Sequence, residues 1–122
     1  MMDENEGYGP ENRKYWEDRW TVLHELSPED LAHPRTRRLH LEAAIELQKW
    51  DVVKPLAELL AGCEEKQDLR LAARGLLALA REESTTGDMK AAYAHVGVAI
   101  KAWPEARIEV SDDPELSMYL PR

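Results

Sequence analysis

Residues 68–104 read DLRLAARGLLALAREESTTGDMKAAYAHVGVAIKAWP, and this stretch decides the fold. Its first half is rich in Ala, Leu, Arg and Glu, the residues that lose least on entering a helix. Leu69, Ala72, Ala73, Leu76 and Ala80 recur at helical spacing and give a helix over 69–83 an apolar side, with Asp68 placed to cap it. Residues 84–87 supply a turn that ends in Gly87. Beyond it Met89, Ala92, Tyr93, Val96, Ala99, Ile100 and Trp103 fall on one face of a helix over 88–103, which Pro104 stops. Two amphipathic helices joined by so short a turn bury their apolar sides by folding back on one another, which predicts an antiparallel hairpin.

The same reading extends upstream. Over residues 36–48, Leu39, Leu41, Ala43, Ala44, Ile45 and Leu47 cover more than half the circumference of a helix, so it is expected to be buried on two sides. Asp51 is placed to cap the next helix, and Pro55 falls near its first turn, where proline is tolerated. Val53, Leu56, Ala57 and Leu60 form its stripe, Leu59 and Cys63 widen it, and Gly62 with the polar run 64–67 ends it. Nearer the start, Trp16, Trp20 and Leu23 recur at i, i+4, i+7 in a helix beginning at about Asn12. Ser27, Pro28 and Asp30 then open a short helical piece that ends at His33 and Pro34.

Residues 1–11 carry Gly7, Gly9, Pro10 and several acids and are expected to be a disordered lead-in. At the other end Asp112, Asp113 and Pro114 open a last turn through Leu116 and Tyr119. No segment alternates with period two. The expectation is an all-α protein with a single domain over 12–122: two antiparallel helical hairpins, an N-terminal capping helix and a short C-terminal capping turn.

Internal repetition sharpens this expectation. At an offset of 39 residues Trp50 falls on Met89, Val53 on Ala92, Ala57 on Val96 and Leu60 on Ala99. The second hairpin adds a motif: Leu79-Ala80, then Gly87-Asp88-Met89, then Ala92, Val96, Ala99 and Pro104. It resembles the tetratricopeptide repeat. That family has a large-then-small pair midway along the first helix, Gly-Asp or Gly-Asn at the turn, a large residue next, then alanines and a closing proline. Small residues let the two helices approach, and large ones fill the adjoining grooves. The first hairpin departs from the pattern, with Gln48 and Lys49 in place of the turn glycine and its acidic neighbour, and His40-Leu41 in place of the large-small pair. Residues 103–107 and 111–116 resemble the closing segment of short bacterial tetratricopeptide proteins, so the resemblance covers about residues 36–120.

Composition bounds the function. A chain of 122 residues carries one modest core that needs neither metal nor disulfide. The net charge of −8 repels phosphate backbones and anionic membranes, so neither nucleic acid nor membrane is an expected partner. Cys63 is the single cysteine and cannot form an internal disulfide. The acidic start, with no apolar run behind it, reads as no secretory signal, and a cytoplasmic location is the default.

No catalytic or metal-binding constellation stands out. His24, His33, His40 and His95 lack metal-ligand spacing and read as surface or capping groups. Cys63 reads as core, and the four tryptophans as packing residues. There is no phosphate-binding glycine loop and no nucleophile elbow, so no enzyme activity and no cofactor are expected.

Arginines are the less ordinary feature. Arg35, Arg37 and Arg38 crowd the start of the helix over 36–48, where cations oppose the helix dipole. Arg70, Arg74 and Arg81 follow one another along the helix over 69–83, with Leu77 between them. Pairing with the chain's own acids, for the first group Glu25, Glu29 and Asp30, is the plain alternative to a binding role. In tetratricopeptide proteins the first helix of each pair lines a concave groove. The resemblance therefore implies a groove holding Arg35, Arg38 and Glu42 beside Arg70, Arg74, Leu77 and Arg81, suited to an acidic or C-terminal segment of another protein. The asparagines of the family's carboxylate clamp have no counterpart in these helices. Two hairpins give a short groove, so affinity is expected to be about micromolar unless the chain self-associates. The expected function is an adaptor or scaffold; the alternative is an acidic inhibitor or immunity-type protein that blocks a basic enzyme surface.

Overall fold

The computed structural model describes residues 10–121 and is helical throughout. Helix α1 spans Pro10–Leu23, α2 Pro28–Leu31, α3 Pro34–Glu46, α4 Trp50–Ala61, α5 Lys66–Thr86, α6 Met89–Ala102 and α7 Ala106–Asp112, before a 3-10 turn over Ser117–Tyr119. The lead-in expected over residues 1–11 lies almost wholly outside the described residues. No described helix is long and apolar enough to cross a membrane.

Helix ends follow the local chemistry, with informative departures. Ser27 caps α2 by accepting the Asp30 amide, and Asp88 caps α6 by accepting the Ala91 amide. His33 caps α3 through Nδ1, which accepts the Arg35 amide and lets the helix start at Pro34. Asp68 and Asp51 are not caps. Glu65 and Lys49 hold the cap positions with no side-chain bond, and both aspartates lie within the first turn instead. Helix α5 runs through the expected turn, because the hydroxyls of Thr85 and Thr86 bond back to the carbonyls of Arg81 and Glu83. Pro55 lies inside α4 rather than near its start.

The turns that close α3 and α5 share one backbone form. Gly87 has a φ of 93°, and Gln48, 39 positions earlier, has a φ of 57°. In each turn this residue's amide reaches the carbonyl three residues back, and the next amide reaches five back: Gln48 to Ile45 and Lys49 to Ala44, Gly87 to Ser84 and Asp88 to Glu83. Glycine adopts this left-handed conformation freely, whereas Gln48 holds it at a cost of about 1–2 kcal/mol.

Helix α5 is the centre of the packing. It contacts α3, α4 and α6, while α1 packs on α3 and α7 joins the final turn over the end of α6. Accordingly its buried residues go well beyond the expected stripe and include Gly75, Leu77 and Leu79. Leu41, Val53, Leu60, Leu76, Val96, Val110 and Leu116 are fully enclosed around it. Alanine and glycine allow the close approach: a Cβ on Gly75 would lie 3.3 Å from that of Ala57 and 3.4 Å from Ile45 Cδ1. At the C-terminal end the Tyr119 hydroxyl lies 2.9 Å from both Ser84 Oγ and Met89 Sδ, tying the tail to α5 and α6.

Five side chains depart from their expected places. Leu59, Met89 and Tyr93 are exposed, so the stripes of α4 and α6 are narrower than their spacing suggests. Cys63 is half-buried beyond the end of α4 rather than in the core. His95, expected at the surface, is buried in α6 with Nδ1 2.7 Å from Glu83 of α5 and Nε2 3.9 Å from Glu58 of α4. It joins three helices through one imidazole. Under α1, Trp20, His24 and His40 pack edge to face, and burial, then the neighbouring His24, push the His40 pKa down.

Candidate functional site

Helix α5 turns one polar stripe outward. Gln67, Arg70, Leu71 and Arg74 recur at i, i+3, i+4 and i+7 and form the floor of a cleft. Arg38 and Glu42 of α3 make one wall. Trp103, Glu105, Ala106 and Glu109, from the end of α6 through α7, make the other. The cleft encloses about 530 Å³, within the size range of ligand pockets. Pro104 creates the second wall by stopping α6 and sending the chain over its end as α7.

Four of the seven residues expected in the groove, Arg38, Glu42, Arg70 and Arg74, therefore meet in one place. The other three do not join them. Arg35 is exposed in the first turn of α3 and is not on the lining of this cleft. Leu77 is 1% exposed and belongs to the core, so its expected role as an apolar groove contact is corrected; half-buried Leu71 is the aliphatic residue at the cleft. Arg81 stands one to two turns further along α5, in a separate shallow depression with Trp50, Ala78, Glu82 and Glu115.

Most of these arginines already have carboxylate partners. Arg38 Nε lies 2.5 Å from Asp68 Oδ1, with the carboxylate almost fully buried. This hydrogen bond raises the Arg38 pKa further above its ordinary value. Arg74 binds Glu46 at 2.6 Å and lies 3.9 Å from Glu42. Arg81 binds Asp113 at 2.6 Å. Burial alone would push the Asp113 carboxyl up, but the Arg81 bond and the Glu115 and Leu116 amides hold it below the usual carboxylate range. Internal pairing thus explains three arginines: Arg38 takes Asp68 rather than the expected Glu25, Glu29 or Asp30, while Arg74 takes Glu46 and Arg81 takes Asp113.

What stays open is the charge that no described partner takes. Arg70 makes no ion pair or side-chain hydrogen bond among the described residues, and neither do Glu105 and Glu109 across from it. Trp103, half-buried, lines the same cleft on the glutamates' wall. The cleft therefore offers a free guanidinium, two free carboxylates and an indole around one cavity. Sequence reasoning missed Trp103, Glu105 and Glu109 because α7 was not foreseen; the spacing of Gln67, Arg70, Leu71 and Arg74 was the readable signal.

A second surface lies between α1 and α3, where Tyr15, Val22, Leu23, Leu26, Thr36 and Leu39 line an apolar groove of about 320 Å³. Among the described residues no group of three or more His, Cys, Asp or Glu side chains could hold a metal ion. No family model, no curated protein and no solved structure matches the chain.

Proposed function

We propose that the chain is a protein–protein interaction module that holds a segment of another protein in the cleft between α3, α5 and α7. The observation that carries this reading is the cleft itself: a cavity of about 530 Å³ with Leu71, Trp103 and Arg70 presented around it. An aromatic and an aliphatic anchor beside an unneutralised charge is the composition of a recognition site.

The tetratricopeptide resemblance supports the reading as far as it reaches. Two consecutive helix pairs, α3 with α4 and α5 with α6, close through turns of the same backbone form 39 residues apart. In such a repeat the first helices face the groove, and the cleft here is floored by α5 and walled by α3. We read α1 as the N-terminal cap, and the final turn with α7 as the C-terminal one. As a non-enzymatic adaptor or scaffold of this kind, the protein would use Arg70 to bind an acidic side chain or a C-terminal carboxylate of its partner, in place of the already paired Arg38, Arg74 and Arg81.

The choice of arginine sets the test. Arg74→Glu would place a third carboxylate beside Glu42 and Glu46, and Arg81→Glu would oppose Asp113, so both disturb the fold as well as the surface. Arg70→Glu changes an exposed side chain without a described ion pair. Once a partner is identified by affinity purification and mass spectrometry, Arg70→Glu is expected to weaken its binding roughly tenfold and to reduce the salt dependence of the affinity. Unchanged affinity with an unchanged unfolding midpoint would remove the cleft from the interface. A blocker of a basic enzyme surface, the other reading of this acidity, would instead bind more tightly after the same substitution.

A further inference from the structure

The cleft is acidic once its buried partners are included. Arg38, Arg70 and Arg74 are three cations, against five carboxylates: Glu42, Glu105 and Glu109 on the lining, Asp68 and Glu46 behind the first and third arginines. Two of those arginines are spent within the fold, and Glu42 already leans towards Arg74 at 3.9 Å, so the unpaired charge that a ligand meets is Arg70 on the floor and Glu105 with Glu109 on the opposite wall. An acidic segment alone would satisfy Arg70 and leave both glutamates facing it. Like charges held in one partly closed cavity repel more strongly than on an open surface.

Resting on the reading of the cleft as the partner site, we infer that the bound segment is bipolar: it carries a lysine or arginine for Glu105 and Glu109 as well as a carboxylate for Arg70. Trp103 adds to the preference. It lies in the same wall as the two glutamates, where the stem of a cationic side chain can pack on the indole and its head can reach the carboxylates. Helix α7 fixes the arrangement, since Ala106 and Val110 are buried and hold Glu105 and Glu109, each one residue earlier, on the adjoining exposed side. A second copy of the chain is a poor occupant, because a net charge of −8 on each protomer opposes self-association at an acidic cleft.

The test uses the full chain and a random twelve-residue peptide library displayed on phage. Selected peptides are synthesised and their affinities measured by fluorescence anisotropy, first with the wild type and then with Arg70→Glu and Glu105→Lys/Glu109→Lys proteins of unchanged unfolding midpoint. The expected peptides contain a basic residue near an acidic one. Replacing that basic residue with alanine, or reversing the two glutamates, should each weaken binding roughly tenfold, and a peptide with glutamate in its place should recover affinity for the Glu105→Lys/Glu109→Lys protein. Peptides that depend on Arg70 but not on Glu105 and Glu109 would overturn this inference and leave the cleft as the partner site. Peptides indifferent to all three residues, or a selection that enriches none, would overturn both.

Discussion

Leu77→Ala is expected to lower the free energy of unfolding by about 2–5 kcal/mol, the range for emptying a leucine-sized space in a packed core. Leu77 is 1% exposed and shares one cluster with Leu41, Leu76 and Ala80. Helix α5 is enclosed by α3, α4 and α6, so neighbouring side chains have little room to collapse into the void. Urea unfolding followed by far-UV circular dichroism measures the effect directly, with a lower midpoint at an unchanged slope. A loss below about 0.5 kcal/mol would mean that Leu77 lies at a surface after all. Leu71→Ala is the control: half-buried at the cleft, it should cost less stability.

Overpacking should produce the second large effect. Gly75 lies where α5 crosses α4 and α3, and a Cβ there already meets Ala57, Ile45 and Leu41 at 3.3 to 3.5 Å. Gly75→Leu would drive three further carbons into that contact, and a cost of about 1–3 kcal/mol is expected, at the upper end because three helices converge. Gly75→Ala should be much milder: its Cβ would sit 3.3 Å from that of Ala57, so the helices must part by a few tenths of an ångström, against about 1 kcal/mol gained in helix propensity. Ala92→Leu and Ala99→Leu, both at fully buried positions of α6 in the same core, should also cost about 1–3 kcal/mol each. Thermal unfolding of the four variants tests the packing; midpoints unchanged in all three leucine variants would show that the helices do not meet through these residues.

The helical class was legible because its causes are local. Apolar spacing, alanine content and turn residues act within a few positions, and they placed α1 to α6 within a few residues of their ends. Errors arose where a distant element decides the outcome. Asp68 has the chemistry of a cap, yet the proximity of Arg38 on α3 turns it into the buried half of an ion pair. His95 looks like a surface histidine until α4 and α5 bring Glu58 and Glu83 to it. Leu77 sits at the rim of the polar stripe of α5, where spacing alone does not determine whether a residue faces the core or solvent.

For the cleft, the arginine spacing and the repeat resemblance indicated the right helix and four of the eleven lining residues. Pairing could not be read from it: Arg38 and Asp68 are 30 positions apart, Arg81 and Asp113 are 32. The second wall was hidden for a simpler reason. Residues 105–112 contain too short an apolar pattern to announce a helix, and α7 is held by burial of Ala106 and Val110 rather than by its own propensity.

Whether a partner segment occupies the cleft floored by α5 is decided by backbone and indole NMR chemical-shift mapping with a bound partner peptide. Occupancy of the cleft should give the largest shifts at the Trp103 indole and at the amides of Arg70, Leu71, Ala106 and Glu109, with weak effects elsewhere. Shifts concentrated instead on Tyr15, Val22, Leu26 and Leu39, the apolar groove between α1 and α3, would contradict it and move the site to the other side of α3.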